Sequence, residues 1–254
     1  MGCCQMLKFS LSKLVMEFVG TLFLTMFFSS GVDATILLGL WILNIFFWKI
    51  SKSHFNPAVS FAMMFRKDDA KMSWKLAIAY MVAQTLGAYV GALLLNFYTF
   101  NLQPLDYAGT FFMRALTQEA LVSFIFVFFF MICTDEKQFY STEKAINCFI
   151  MACSYVGARA MFAGQLHGAT LHYGAIANPA IALGIQMSTL FNEGFSAWKA
   201  LYLYPTVPFA GAFLAVLFYE MVYKRTQAFI AHEESDDSRN NSVEDDDKMG
   251  GEHD

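Results

Sequence analysis

Asn56-Pro57-Ala58-Val59-Ser60-Phe61-Ala62-Met63-Met64-Phe65 and, far downstream, Asn178-Pro179-Ala180-Ile181-Ala182-Leu183-Gly184-Ile185-Gln186-Met187-Ser188-Thr189-Leu190-Phe191 open on the same tripeptide. Each starts as helices start. An Asn supplies an N-cap oxygen, and Pro fills the first helical position, where its missing N–H is no loss. At about 1.5 Å per residue the apolar runs reach roughly 14 and 20 Å, against a hydrocarbon core about 30 Å thick. Neither run can cross a bilayer alone. Two half-helices whose Asn-capped ends meet at mid-membrane point to a pore with two amide donors at its centre.

The rest of the chain supplies the membrane. Of 254 residues, 57% are hydrophobic and only 15% charged, with 28 Phe. A soluble domain carries about 25% charge, so this composition, with several apolar runs near 20 residues, marks a polytopic membrane protein. The net charge of −4 belongs to the tail, because residues 231–254 hold ten of the 21 acids against Arg239 and Lys248 alone. The five cysteines (Cys3, Cys4, Cys133, Cys148, Cys153) show no metal-site or disulfide spacing. Cys3 and Cys4 are candidate acylation sites, although Met6 stands where a myristoylation pattern wants Ser or Thr.

In order, an apolar run from Leu14 to Ser30 contains Glu17 and predicts helix 1. Helix 2 is predicted over Ala34 to Ile50, and the polar stretch Ser51-Lys52-Ser53-His54 delivers the first Asn-Pro-Ala. Helix 3, from Trp74 to about Tyr98, carries Gly87 and Gly91 at the spacing that lets helices approach closely. Helix 4 (about 112–133) contains Glu119, helix 5 covers about 143–163, and helix 6 is predicted from about Ser196 to Tyr223. The Phe124, Phe126, Phe128, Phe129 and Phe130 side chains of helix 4 are read as facing lipid. Residues 226–254 read as an acidic, disordered tail with a glycosylation pattern at Asn240-Asn241-Ser242.

Lys8, Lys13, the six basic residues from Lys49 to Lys75, Lys137, Lys144, Lys224 and Arg225 all fall on one side of this topology. The positive-inside rule puts that side, and both termini, in the cytoplasm. Each half runs helix with an early Glu, helix, Asn-Pro-Ala half-helix, helix. Three crossings per half invert the second copy. The predicted fold is an all-α membrane protein with six transmembrane helices and two re-entrant half-helices in an inverted repeat. Its segments are 1–13 (cytoplasmic), 14–225 (channel, with repeats over about 14–98 and 112–223) and 226–254 (tail).

These residues resemble the aquaporin, or major intrinsic protein, family. The matching pieces are Glu17-Phe18-Val19-Gly20-Thr21, Ser53-His54-Phe55-Asn56-Pro57-Ala58-Val59, Ala83-Gln84-Thr85-Leu86-Gly87-Ala88, Gly174-Ala175-Ile176-Ala177-Asn178-Pro179-Ala180 and Pro208-Phe209-Ala210-Gly211. The resemblance implies a homotetramer with one pore per subunit, and Asn56 and Asn178 donating to passing water. It implies that Glu17 and Glu119 support the adjacent re-entrant loops and that His54 makes a structural contact at the cytoplasmic vestibule.

The family's outer filter has four positions, one usually Arg three residues after the second Asn. Here that position is Ile181. Ala175 and Ile36 fill two others. Met161 is placed fourth, because Met161-Phe162-Ala163-Gly164 is similar to the helix 5 end of plant tonoplast members; gapless counting gives Leu166 or His167. A filter without guanidinium has fewer donors and more room. The implied activity is passive conduction of water and small neutral solutes (glycerol, urea, ammonia or hydrogen peroxide), with protons and ions excluded. The alternative is a water-selective or weakly conducting member with a mainly structural membrane role. Trp48, Lys49 and Lys52 near the cytoplasmic mouth are read first as interfacial anchors and second as a constriction. No catalytic motif, metal cluster, cofactor or nucleic-acid partner is expected, and the membrane is the plasma membrane or an internal vacuolar one.

Overall fold

The computed structural model describes residues 3–99, 102, 105, 112–135, 141–163, 175–198 and 200–235. Among them the regular structure is helical: α1 (Cys3–Phe28), α2 (Asp33–Ser51), α3 (Pro57–Met64), α4 (Trp74–Thr99), α5 (Phe112–Cys133), α6 (Lys144–Ala163), α7 (Pro179–Glu193) and α8 (Val207–Phe218). Six stretches are long and apolar enough to cross a membrane: Ser10–Phe28, Asp33–Ser51, Trp74–Thr99, Phe112–Cys133, Lys144–Phe162 and Val207–Ser235. Helices α3 and α7, of eight and 15 residues, are too short to cross, whereas α8, of 12, is continued by further helix to Ser235.

The chain divides between Val216 and Leu217 into two units. In the first, the closest helix approaches are made where a side chain is missing. A Cβ on Gly87 or Gly91 of α4 would overlap the carbonyl oxygens of Phe18 and Leu22 on α1, and one on Gly211 of α8 would overlap the Ala120 carbonyl of α5. The Gly87 and Gly91 spacing thus brings α1 against α4, as small residues do between membrane helices. Helix α7 packs on α4, where Asn96 Nδ2 donates to the Ser188 carbonyl at 3.1 Å and Asn192 Nδ2 donates to Asn96 Oδ1 at 2.9 Å. Helix α3 packs on α4 and α5. Its far end is fixed by Arg66, fully buried, which donates to the Met131 carbonyl (2.8 Å) and Thr134 Oγ1 (2.6 Å) and pairs with Asp68 (2.6 Å).

Three expectations need correction. The last long helix starts at Val207, not Ser196. Gly194, at φ 57°, ends α7, a 3-10 turn covers Gly194–Trp198, and further turns run to Thr206. Pro205 and Pro208 explain the delay: each lacks the N–H that a helix interior needs, so the helix begins here with Pro208 in its first turn, where that N–H is not missed. Second, Phe126 and Phe130 are buried, because residues four apart share a face and theirs is the inner one; Phe129 is exposed. Third, helix continues to Ser235, through the first ten residues of the expected tail at 226–254. In the second unit it begins with a π-turn, Tyr219–Tyr223, where the two Tyr rings stack at 5.8 Å and Lys224 Nζ lies 3.3 Å from Glu220 Oε1. The Thr226–Ser235 stretch has no Gly or Pro to stop it. Leu166, His167 and Asn240-Asn241-Ser242 lie outside the described residues.

Candidate functional site

Helix α2 ends at Lys52, a left-handed C-cap (φ 70°) whose N–H returns to the Trp48 carbonyl. Ser53 (φ 52°) and Phe55 (φ 47°) keep the chain in that unusual region. Non-glycine residues reach it at a cost of roughly 1–2 kcal/mol each, so surrounding contacts must enforce it. Glu17 of α1, fully buried, does so. Its carboxylate accepts from the backbone N–H of His54 (3.0 Å) and of Phe55 (2.8 Å), and from Gln84 Nε2 of α4 (2.8 Å). The chain is then aimed so that Asn56 Oδ1 caps α3 through Ala58 N–H at 2.8 Å.

The second half repeats the arrangement. Fully buried Glu119 of α5 accepts from Ile176 N–H (2.6 Å) and Ala177 N–H (2.7 Å), and Ala177 is left-handed (φ 49°). Asn178 Oδ1 caps α7 through Ala180 N–H (3.1 Å) and Ile181 N–H (3.4 Å). The halves then cross. Asn56 Nδ2 donates to the Ala177 carbonyl at 2.8 Å, and Asn178 Nδ2 donates to the Phe55 carbonyl at 2.9 Å. Each amide carries two hydrogens, so one bond to a carbonyl fixes its direction and leaves a second hydrogen to present. The two helix N-termini bring roughly half a positive charge each.

Pro57, Ala58, Pro179 and Ala180 are buried around this pair. His54 is buried too. Its Nδ1 lies 3.0 Å from Ser60 Oγ, and its ring meets Tyr80 at 5.3 Å and Phe130 at 5.5 Å, edge to face. Of the filter candidates, Ile36, Ala175 and Ile181 are buried, whereas Met161 is 58% exposed. Met161 thus lies on the outer face of α6. The α6 side chain that reaches the Ala175 carbonyl is Arg159, whose Nη1 donates to it at 2.5 Å. Residues two apart on a helix point about 200° apart, so the two cannot both face inward.

The family model for the major intrinsic proteins matches residues 30–219. The chain belongs to the major intrinsic protein family. A probable aquaporin of Arabidopsis thaliana, TIP3-2, is 30% identical over 67% of this chain and 59% of its own length. Aquaporin PIP1-2 of Musa acuminata is 31% identical over 69% of this chain and 60% of its own. The matched region thus spans about 60% of these relatives. The crystal structure of the aquaglyceroporin of Plasmodium falciparum superimposes with a TM-score of 0.67 at 19% identity, covering 84% of this chain and 97% of that one. The fold is therefore that of the family, and the chain is an integral membrane protein.

Several members of the site were not singled out from the sequence of this family member. Gln84 joins Glu17 to Ser60 Oγ (3.0 Å), and Tyr155 donates to the Ile176 carbonyl at 2.6 Å. Arg159 had a signal, a lone arginine inside an apolar helix. Trp48 is buried rather than interfacial. Its ring lies 6.4 Å from that of Phe130, and Lys52 Nζ lies over it, 5.5 Å from its centroid. Beside His54 a cavity of about 440 Å³ opens, lined by charges of both signs that include Lys13, Lys52, Arg66, Asp68 and Asp135.

Proposed function

We propose that this chain is a passive channel that carries water and small neutral solutes (glycerol, urea, ammonia or hydrogen peroxide) down their gradients and excludes protons and ions. One observation carries the proposal: the crossed Asn56–Ala177 and Asn178–Phe55 hydrogen bonds, which aim two amides and two helix N-termini at one buried point. A water passing there accepts from both amides. Its hydrogens turn outward, so the water file reverses orientation at the centre, which opposes proton transfer there. The positive helix ends add a barrier to cations. Ile36, Ala175 and Ile181 give the outer constriction apolar walls that tolerate the CH groups of a polyol. Glu17, Glu119 and His54 act as loop supports, each by bonds to backbone or to Ser60. The channel works as a homotetramer in the plasma membrane or an internal vacuolar membrane, with both termini cytoplasmic.

The second function, a weakly conducting member with a mainly structural role, has one observation in its favour: the Trp48 and His54 rings both meet that of Phe130, and His54 is two residues before Asn56. Stopped-flow light scattering on proteoliposomes separates the two. Water flux well above empty liposomes, with glycerol or urea flux, supports the proposal. Water alone removes the solute part, and neither flux leaves the structural role.

A further inference from the structure

Arg159 sits in α6 with its side chain buried, and an arginine in a membrane-length apolar helix needs partners or a functional reason to be there. Its partners come from three separate elements. Nη1 donates to the Ala175 carbonyl, just before the second Asn-Pro-Ala. Nη2 lies 3.8 Å from Asp33 Oδ1 at the start of α2, and the guanidinium stacks over the Phe28 ring at the end of α1, 4.3 Å from its centroid. The Tyr155 ring, one turn back on α6, is 5.7 Å away. The planar group is therefore pinned where α1 ends, α2 begins and the second Asn-Pro-Ala segment enters. Ala175, one of the filter positions, is bonded directly, and a second, Ile36, lies one turn along α2 from the paired Asp33. The third, Ile181, is where an arginine would ordinarily stand.

We infer that Arg159 supplies from α6 the guanidinium that the filter lacks at Ile181, making it the specificity-determining residue of the outer constriction. This rests on the channel proposal and changes its character. The filter is then not free of arginine but amphipathic: a fixed cationic fork of donors held at Ala175, beside the apolar Ile36 and Ile181. A fork on a rigid mount can donate to a hydroxyl, a carbonyl or a water, while its charge opposes cations. The ligand class that fits is a small neutral molecule with acceptors along one side and CH or no bulk on the other, which describes urea and glycerol better than an ion. Placing the fork on α6 also leaves the α7 side, where Ile181 is fully buried, to form the apolar wall.

The test compares wild type, R159A, R159K and the double variant R159A/I181R in proteoliposomes, with water, urea and glycerol permeability and proton leak into dye-loaded vesicles as readouts. Expected is a several-fold rise of the solute-to-water ratio in R159A together with a proton leak absent in wild type, both reversed when I181R returns the guanidinium from the other side. R159K, which keeps charge but not the fork, should hold back protons yet shift the solute ratio. An R159A protein that elutes normally on size exclusion with wild-type ratio and no leak overturns the inference. So does a leak that I181R fails to repair, since Arg159 would then only be bracing the chain. Should R159A fail to fold, an unchanged ratio in R159K overturns it equally. Wild type without flux above empty liposomes removes the channel proposal and this inference with it, whereas a conducting wild type with unaffected variants removes the inference alone.

Discussion

Asn56 and Ala177 are 121 residues apart in the chain, and the Asn56 amide donates to the Ala177 carbonyl at 2.8 Å. The partner bond, Asn178 to the Phe55 carbonyl, is its mirror across the two halves. Each carbonyl belongs to the left-handed residue just before the other Asn, and each of those residues is held through its N–H by a buried glutamate. The centre is thus assembled reciprocally: neither half can aim its amide without the other.

Asn56→Asp tests the donor without removing the cap. Asp is as good an N-cap as Asn, so α3 should persist. The carboxylate, however, offers no hydrogen to the Ala177 carbonyl or to water, and it places a negative charge where two positive helix ends meet. Water permeability should fall about tenfold or more, which corresponds to roughly 1.4 kcal/mol on the barrier, and cation conductance should appear in planar bilayers. Wild-type water flux with no cation current would show that the Asn56 amide is not the central donor.

Glu17→Ala and Glu119→Ala should be matched in their cost. Each strands two buried backbone N–H groups (His54 and Phe55, or Ile176 and Ala177), at about 1–3 kcal/mol per group. Thermal unfolding in detergent should drop for both, with the Gln variants falling less because one acceptor oxygen remains. A proton-relay role would leave stability intact and change only flux, and that result would replace the loop-support role.

Much of this was legible because it repeats. Two Asn-Pro-Ala starts, two early glutamates and six long apolar runs give the fold, and Gly87 with Gly91 gives the α1–α4 approach. What escaped was set by tertiary direction. The Phe cluster of α5 is uniformly apolar, so sequence alone does not say that Phe126 and Phe130 turn inward while Phe129 does not. The start of α8 depended on two prolines interrupting an otherwise helical pattern. Met161 carries a local match to the helix 5 end of related channels, yet the face of α6 that turns inward is the one carrying Arg159, and only its bond to the Ala175 carbonyl reveals that.

Gly87→Val and Gly157→Ala make a contrast within one protein. A Cβ at Gly87 meets backbone of α1, which cannot move aside as a side chain could, so the variant should fail to reach the membrane in folded form. A Cβ at Gly157, in the interior of α6, meets nothing within 4 Å. There the gain in helix propensity should stabilise by about 0.5–1 kcal/mol, read as a higher unfolding temperature. Folded, stable Gly87→Val protein would mean that α1 and α4 lie farther apart than described.

Trp48→Ala addresses the crowded approach. Trp48 is 7% exposed and packs toward Phe130, which itself meets His54 edge to face at 5.5 Å. These rings come from α2, the segment before α3, and α5, and if they stand across the route to Asn56 they narrow it. An aromatic constriction holds water poorly, since it offers few hydrogen bonds to replace those that the molecule leaves behind. Removing the indole should widen it. Water permeability of Trp48→Ala should rise several-fold over wild type in the same stopped-flow assay, and Phe130→Ala should act in the same direction. Loss of a buried Trp also costs about 3–5 kcal/mol in packing, so the comparison is made per folded protein, counted after size exclusion. Unchanged permeability in folded Trp48→Ala and Phe130→Ala proteins would place these rings beside the conduction path rather than across it.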